Sequence, residues 1–247
     1  MPVSRTDNPF GPLADPLIAT VVTALWFVLL LQFQHAPDFD LAVSQWFFDE
    51  AACAASGNGK SCAGFTLGGS PLLAFIREVL HPVPAMIGIV MLVVLIVELW
   101  MGKRWRDTGV RLKAVLVTTL IVGPGLIVNG ILKAYWGRPR PWMTEDFGGW
   151  LSFVEAGTNT DLCASNCSFV SGEAAAAGWL MCLALLLGVH RYIRSALAVG
   201  AISIAMAGLR VAFGAHYVSD AVLGYTMTVA IFVVLAAIAE FAARRAR

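Results

Sequence analysis

The chain has 247 residues, of which 58% are hydrophobic and 13% are charged. This composition is far more apolar than that of a typical soluble domain, so it indicates a membrane protein. The net charge is only +1, and no basic tract is long enough to indicate a nucleic-acid partner.

Six apolar stretches predict membrane-spanning helices, each of which needs about 20 mostly apolar residues. In chain order they are residues 17–33, 83–99, 115–132, 174–189, 196–209 and 221–241. The first stretch follows a polar segment without a clear basic region or cleavage site, so we interpret it as an anchor rather than a signal peptide. We therefore predict an all-α fold, an integral membrane bundle of six transmembrane helices, in a single domain of residues 1–247.

The basic residues predict how this bundle is oriented, because cytoplasmic loops collect Lys and Arg. Most of them fall into four groups: Arg5, residues 103–113, residues 191–194 and residues 244–247. These groups occupy the two termini and every second loop. With six helices, both termini are then cytoplasmic, and the outer side carries residues 35–80, 134–170 and 210–217.

Four of the five cysteines lie in the predicted outer segments, as expected if that side permits disulfides. The local pairings that we prefer are Cys53 with Cys62 and Cys163 with Cys167. Unpaired thiols and the other connectivities of four cysteines remain alternatives. Cys182 lies within the fourth predicted helix, where packing is its expected role.

Six basic residues remain on the predicted outer side: Lys60, Arg77, Lys133, Arg138, Arg140 and Arg210. A charged group at the centre of a membrane costs about 2.5–3.5 kcal/mol, so Lys133 and Arg210 near helix ends suggest a function. The alternative is that these side chains simply extend to the interface. Arg77 falls in residues 72–79, which form either an interfacial helix that guides substrate or a packing connector.

Three spaced groups of polar residues reach the predicted outer side together. They are Lys133-x6-Arg140-Pro141, Ser171-Gly172-Glu173 and Arg210-x5-His216-x3-Asp220. In the predicted topology, helices three and five end on that side, and helices four and six begin there. Four helix ends can thus surround one pocket.

The residue types in these groups suit the binding of phosphate. Lys133, Arg140 and Arg210 can neutralise phosphoryl oxygens, and the two arginines can do so through bidentate contacts. Ser171 can donate its hydroxyl, and the backbone N–H groups of a helix that begins near Gly172 offer further donors. Singly, each has a plainer explanation, such as a helix cap for Ser171 or an interfacial anchor for Arg140.

His216 and Asp220 are four residues apart, so they share one face if both are helical. Asp220 can then hold the imidazole tautomer through one ring nitrogen and leave the other nitrogen free to attack phosphorus. The plainer alternatives are a helix-capping Asp220, a loop histidine, and Arg138 as an interfacial anchor. Because the three groups reach one side at one depth, we interpret them together as a phosphate-handling site.

Over residues 133–220 the chain resembles the type 2 phosphatidic acid phosphatase superfamily. The signature of that family is Lys-x6-Arg-Pro, then Pro-Ser-Gly-His, then Ser-Arg-x5-His-x3-Asp. The resemblance implies that His216 becomes phosphorylated, that Asp220 orients it, and that no metal or cofactor is needed. Arg138, which lies within the first group but outside the signature positions, is a candidate accessory residue. The resemblance further implies phosphate binding by Lys133, Arg140, Ser171, Gly172 and Arg210.

The chain departs from the family signature at three positions. Val170 replaces a proline, Leu209 replaces a serine, and Glu173 replaces the histidine that protonates the leaving group. Our hypothesis is that Glu173 is the general acid, since burial at a membrane-facing site favours the neutral carboxylic acid. The neighbouring basic residues favour the carboxylate, so an ion pair or a helix cap is the alternative.

The resemblance implies a lipid phosphatase of a bacterial inner membrane, with its active site facing the periplasm. The Ser-Gly-Glu variant and the long outer loop also resemble bacterial lipid A 1-phosphatases, so lipid A at its 1-phosphate is the first expected substrate. The alternatives are undecaprenyl pyrophosphate and phosphatidylglycerol phosphate as substrates, a lipid phosphotransferase, and a non-catalytic phospholipid-binding or transport protein. The expected partners are the bilayer and this lipid phosphate, and the oligomeric state is left open.

Overall fold

The computed structural model describes residues 8–56 and 62–245. Arg5, Lys60 and Arg247, which entered the charge argument, lie outside the described residues. Within the described ranges the chain forms helices and no β-strand. The α-helices are α1 (Pro16–His35), α2 (Asp38–Gln45), α3 (Glu50–Ser56), α4 (Pro71–Leu80), α5 (Val83–Trp100), α6 (Thr108–Leu120), α7 (Lys133–Tyr135), α8 (Gly172–Val189), α9 (Ile193–Ala212) and α10 (Val218–Arg245).

Six helical spans among the described residues are long and apolar enough to cross a membrane, which confirms the predicted all-α bundle. They are Pro16–His35, Pro71–Trp100, Thr108–Tyr135, Gly172–Val189, Ile193–Ala212 and Val218–Arg245. The second span is longer than predicted, because α4 precedes α5 and is separated from it by a turn at His81 and Pro82. Prolines at 82 and 84 have no N–H to donate, which accounts for this break.

The third span changes its helical form just before it reaches Lys133. Residues Ile121–Leu132 form a π-helical segment that includes Pro124. The Asn129 side chain donates from Nδ2 to the Pro124 carbonyl at 2.6 Å. A π-helix has a wider turn than an α-helix and is often found at functional sites. This wider turn is the helical form in which the span accommodates Pro124.

Helix α8 lies in the centre of the bundle and packs closely on its neighbours. Trp179 is fully buried and donates its indole N–H to the Leu116 carbonyl at 2.8 Å. A Cβ atom at Gly178 would lie 2.3 Å from the Tyr225 carbonyl oxygen, so only glycine permits this approach of α10. Cys182 is buried on the same helix, in the packing role predicted for it.

Helices α1 and α5 bury little of their apolar surface within the bundle. Leu17 and Val21 on α1, and Ile89 and Val90 on α5, are each more than half exposed. Such continuous apolar surface marks the boundary that lipid covers in a membrane-spanning protein.

Two disulfides and an aromatic cluster fasten the connecting segments at one end of the bundle. The disulfides join Cys53 to Cys62 and Cys163 to Cys167. The rings of Phe48, Phe65 and Phe147 pack together with centroid separations of 5.3 to 5.5 Å. These contacts hold the described residues 38–56, 62–65 and 137–171 as a cover over the end of the bundle where the three polar groups lie.

Candidate active site

The three polar groups that the sequence places on one side converge in the structure. The Ser171 N–H donates to the Asp220 carbonyl at 3.0 Å, which joins the second group to the third. Glu173 Oε1 lies 3.4 Å from Arg210 Nε. Lys133 lines a cavity together with Gly172 and Glu173, which brings the first group to the same place.

Helix α8 begins at this site and is capped by Ser171. The Ser171 backbone is extended, and its Oγ accepts a hydrogen bond from the Ala174 N–H at 3.3 Å. The capping role that the sequence left open is therefore present, but the serine hydroxyl still has its own proton to donate. A Cβ at Gly172 would lie 2.6 Å from Asn129 Oδ1, so close packing requires glycine here.

His216 is almost fully buried, with 1% of its surface exposed. Its Nδ1 lies 2.9 Å from the Ser168 carbonyl oxygen. A carbonyl oxygen can only accept, so Nδ1 carries the proton and Nε2 keeps its lone pair. Burial lowers the pKa of His216 well below its usual value, and the charges of Arg140, Arg210 and Lys133 lower it further. The imidazole is therefore neutral at physiological pH.

Asp220 does not hold His216 in the way that the sequence predicts. Its Oδ2 lies 3.9 Å from His216 Nδ1, beyond hydrogen-bond distance, and the Ser168 carbonyl occupies that role. Asp220 instead accepts hydrogen bonds from the Ser168 hydroxyl and, at 3.1 Å, from the Tyr217 N–H. Asp220 thus contacts the two residues that fix the position of His216. Ser168 does so through its carbonyl, and Tyr217 does so through the peptide bond that joins it to His216.

Arg138 is fully buried rather than exposed at an interface as one alternative predicted. Its Nη1 donates to Asp220 Oδ1 at 2.6 Å, and its Nη2 donates to Asp40 Oδ2 at 2.8 Å. Asp40 also accepts from the Ser219 N–H at 2.8 Å, through Oδ1. The Arg138 guanidinium lies 4.4 Å from the Tyr217 ring centroid, a favourable cation–π distance.

Asp40 is a site residue that sequence reasoning missed. It belongs to α2, 179 residues before Ser219 and 98 before Arg138. An isolated aspartate in a connecting segment carries no signal in a single sequence, because acidic residues are common there. Its burial and its three hydrogen bonds, one from Arg138 and two from Ser219, become visible only when α2 is packed against α10.

Arg140 is held by the short loop that the Cys163–Cys167 disulfide closes. Its Nε and Nη2 donate to the Asn166 carbonyl at 3.0 and 2.8 Å, and Nη2 also donates to the Asn166 side-chain oxygen at 2.8 Å. Asn166 has a positive φ of 51°, a left-handed conformation that asparagine tolerates better than most residues. This loop thereby sets the direction of the Arg140 guanidinium.

Glu173 forms ion pairs, which is the alternative that the sequence left beside the general-acid role. Arg77 donates to both carboxylate oxygens, from Nε to Oε2 at 2.9 Å and from Nη2 to Oε1. His81 Nδ1 lies 3.7 Å from Oε2. Arg77 was recognised in the sequence only as an unassigned basic residue, because its partner lies 96 residues away.

A cavity of about 470 Å³ lies beside Glu173. Its polar end carries Lys133, Asn129 and Glu173, whereas its wall includes apolar residues of α5 and the third span, such as Pro84 and Leu120. A cavity with a charged end and an apolar wall is chemically suited to a phosphate that carries an apolar tail.

Comparison with known proteins places this arrangement in a family. Residues 109–244 match the sequence model of the PAP2 superfamily, the type 2 phosphatidic acid phosphatases. A lipid A 4'-phosphatase of Rhizobium leguminosarum is 43% identical over 221 residues, which cover 87% of this chain and 94% of that protein. A lipid A 4'-phosphatase of Rhizobium etli is 44% identical over 220 residues, which cover 87% of this chain and 84% of that protein.

A lipid A 4'-phosphatase of Francisella tularensis subsp. novicida is 36% identical over 112 residues, or 43% of this chain and 49% of that protein. No solved structure matches the chain significantly. The family match contains all three polar groups, from Lys133 to Asp220, and the Rhizobium relatives align with most of the chain. The chain therefore belongs to the PAP2 superfamily and is a membrane phosphatase of that family.

Proposed function

We propose that this protein removes a phosphate from lipid A through a phosphohistidine formed on His216. The observation that carries this proposal is the state of His216, which is buried and neutral with Nε2 unprotonated. Three cationic side chains from two of the signature groups disfavour its protonated form. They are Arg140, Arg210 and Lys133. A neutral imidazole among cations is an effective nucleophile toward a phosphate ester.

The names of the Rhizobium relatives favour the 4'-phosphate of lipid A as the group removed. The weaker sequence resemblance pointed to the 1-phosphate instead. We give the 4' position precedence because the two relatives align with 94% and 84% of their own lengths. The cavity with its charged end and apolar wall accommodates a lipid phosphate in either case.

The first chemical step joins His216 Nε2 to phosphorus and breaks the bond between phosphorus and the sugar oxygen. Lys133, Arg140 and Arg210 stabilise the charge that spreads over the phosphoryl oxygens. The N-terminus of α8 adds the N–H of Gly172 and the positive end of the helix dipole. Water then attacks the phosphohistidine, which releases inorganic phosphate and restores Nε2.

Glu173 is our proposed donor of the proton that the leaving sugar oxygen requires. Its carboxylate is ion-paired with Arg77 and Arg210 before substrate binds. An arriving phosphate competes for the same guanidinium groups, and its negative charge favours a protonated carboxyl beside it. Asp220 is a positioning residue in this scheme, because it acts on His216 through Ser168 and Tyr217.

We propose that the site faces the periplasm of a bacterial inner membrane and that both termini are cytoplasmic. The distribution of Lys and Arg supports this orientation. The two disulfides support it as well, because both lie at the end of the bundle that carries the site and the periplasm is oxidising.

The experiment that tests this function measures phosphate release from lipid A that carries both its 1- and 4'-phosphates. Wild-type protein, His216→Ala and the control His35→Ala are purified in detergent, and the lipid product is located by mass spectrometry. We expect wild type and His35→Ala to release the 4'-phosphate, since His35 is exposed on α1, and His216→Ala to lose at least about 10³-fold in kcat.

Removal of the 1-phosphate would contradict the assignment to the 4' position, but it would still support a lipid A phosphatase. Undecaprenyl pyrophosphate and phosphatidylglycerol phosphate serve as comparison substrates, and a preference for either would replace lipid A. Phosphate transfer to an added lipid would identify a phosphotransferase. Equal release by wild type and His216→Ala would overturn the phosphohistidine mechanism.

A further inference from the structure

Arg77 carries a guanidinium to the site from outside the signature residues. It lies on α4 (Pro71–Leu80), whereas the family match begins at residue 109. Its Nε donates to Glu173 Oε2 at 2.9 Å, and its Nη2 donates to Glu173 Oε1. Two donors of one guanidinium thus face two oxygens of one anion, which is the bidentate arrangement that arginine also forms with phosphate.

Arg77 and Arg210 share the same anionic atom. Glu173 Oε1 accepts from Arg77 Nη2 and lies 3.4 Å from Arg210 Nε. The Arg210 Nε–H is buried and has no hydrogen-bond partner among the described residues. Two guanidinium groups therefore flank Glu173 Oε1. The Arg210 Nε–H lies near this anion without forming a hydrogen bond to it.

The surroundings of Arg77 are open to a ligand. Its side chain is 38% exposed, whereas that of Glu173 is only 14% exposed. The turn that follows α4 contributes His81 and Pro82 to the lining of the cavity that also holds Lys133. Glu173 lines the same cavity, so a substrate phosphate that binds at Lys133 shares this cavity with the carboxylate that holds Arg77.

We propose that Arg77 is a further ligand of the substrate phosphate and that Glu173 holds it in position until the substrate arrives. This inference rests on the proposed function and names the ligand class as a phosphomonoester dianion of a membrane lipid. Phosphate oxygens replace the Glu173 carboxylate on Arg77, so that Arg77 joins three cations of the signature groups, Lys133, Arg140 and Arg210. No covalent bond changes in this exchange.

The exchange makes opposite predictions for the two members of the ion pair. Arg77→Ala removes a ligand, so phosphate must bind more weakly. Glu173→Gln removes the anion that competes with phosphate for Arg77 and Arg210, so phosphate must bind more tightly. If the ion pair only fastened α4 to α8, both variants would change the affinity for phosphate in the same direction, because either substitution would loosen the same contact.

The experiment is isothermal titration of the detergent-purified full-length protein with inorganic phosphate, together with steady-state kinetics on lipid A. We expect Arg77→Ala to raise the Kd for phosphate about 10- to 100-fold, as for the loss of a charge-assisted hydrogen bond, and to raise KM more than it lowers kcat. Arg77→Lys retains the charge without the bidentate contact, so it should lie between Arg77→Ala and wild type. Glu173→Gln should lower the Kd about twofold to fivefold.

Arg194→Ala is the matched control, because Arg194 is an exposed arginine on α9 away from the three polar groups. It should leave the Kd for phosphate and both kinetic constants unchanged. Unchanged phosphate binding in Arg77→Ala, or weaker binding in both Arg77→Ala and Glu173→Gln, would overturn the proposal. If wild type binds phosphate with this pattern but does not hydrolyse lipid A, the proposed substrate fails and the role of Arg77 stands.

Discussion

Two local conditions act together on His216 and leave its Nε2 unprotonated. The Ser168 carbonyl fixes the proton on Nδ1 at a distance of 2.9 Å, and burial with three nearby cations keeps the ring neutral. The unfolded chain takes up a proton on this histidine near pH 6.5, but the folded protein does not. His216 therefore contributes stability that is fully present above pH 6.5 and is lost as the pH falls below it.

The activity should follow the same shift in the pKa of His216. We expect the acidic limb of the kcat/KM profile to lie well below pH 6.5, because the neutral imidazole persists there. The measurement is kcat/KM for lipid A across the range in which the wild type stays folded. An acidic limb at or above the usual histidine pKa would contradict the neutral, desolvated imidazole.

Glu173→Gln provides the second arm of the same measurement. If Glu173 donates the proton to the leaving oxygen, kcat should fall about 10²- to 10⁴-fold and the alkaline limb of the profile should disappear. The thermal unfolding of the variant serves as its control for folding. Full activity with an unchanged pH profile would reject Glu173 as the acid, and it would leave its ion pair with Arg77 as its role.

At the scale of elements, the buried carboxylate of Asp40 links α2 to the candidate site through hydrogen bonds. Asp40 accepts from Arg138 Nη2 and from the Ser219 N–H, each at 2.8 Å. Arg138 in turn donates to Asp220, which accepts from the Ser168 hydroxyl. A chain of buried contacts therefore runs from α2 to the residue whose carbonyl orients His216.

Asp40→Asn should disturb this series of buried contacts without altering the cations that we propose bind phosphate. We expect a loss of about 3 kcal/mol in stability, as for the removal of one partner from a buried ion pair. Because Asp40 acts through Arg138 and Asp220, kcat should fall while KM for lipid A stays near the wild-type value. Thermal unfolding and steady-state kinetics in detergent measure the two effects.

Asp38→Asn is the matched control for this prediction, because Asp38 is exposed at the start of the same helix. It should change neither stability nor kcat. A higher KM with a normal kcat in Asp40→Asn would show that α2 supports substrate binding instead of the alignment of His216.

At the scale of the whole molecule, the buried charges lie near the ends of the membrane-spanning helices, and those of the candidate site lie at one end. Lys133, Glu173, Arg210 and Asp220 all lie at ends of membrane-spanning helices, where the connecting segments can cover them. The remaining surface of α1 and α5 is apolar and exposed, as lipid contact requires. This division allows a charged site to exist in a membrane protein without placing charges at the centre of the bilayer.

The orientation of the whole bundle can be tested by labelling single introduced cysteines in intact bacterial cells. Trp46→Cys probes the end that carries the site, since Trp46 is 78% exposed, and Arg194→Cys probes the opposite end. We expect a membrane-impermeant maleimide to label the first variant from the periplasm and the second only after lysis. The reverse pattern would show that the site faces the cytoplasm.

The sequence by itself determined the six spans and the three signature groups of the site. Hydropathy and helical period are local properties, so each apolar stretch is visible without knowledge of its neighbours. The alternation of inner and outer loops then brings Lys133, Ser171 and His216 to one end by parity alone. For the cysteines the sequence favoured the local pairs and left other connectivities open, and the structure forms the disulfides Cys53–Cys62 and Cys163–Cys167.

Only the tertiary structure decided which side chains hold these residues in place. Asp40 meets Ser219 across 179 residues, and Arg77 meets Glu173 across 96. The partner of a buried charge depends on which helices pack together and at what depth, and no local pattern records that choice. The Ser168 carbonyl takes the place expected of Asp220 for the same reason, because the carboxylate of Asp220 is bound by Arg138 from another segment.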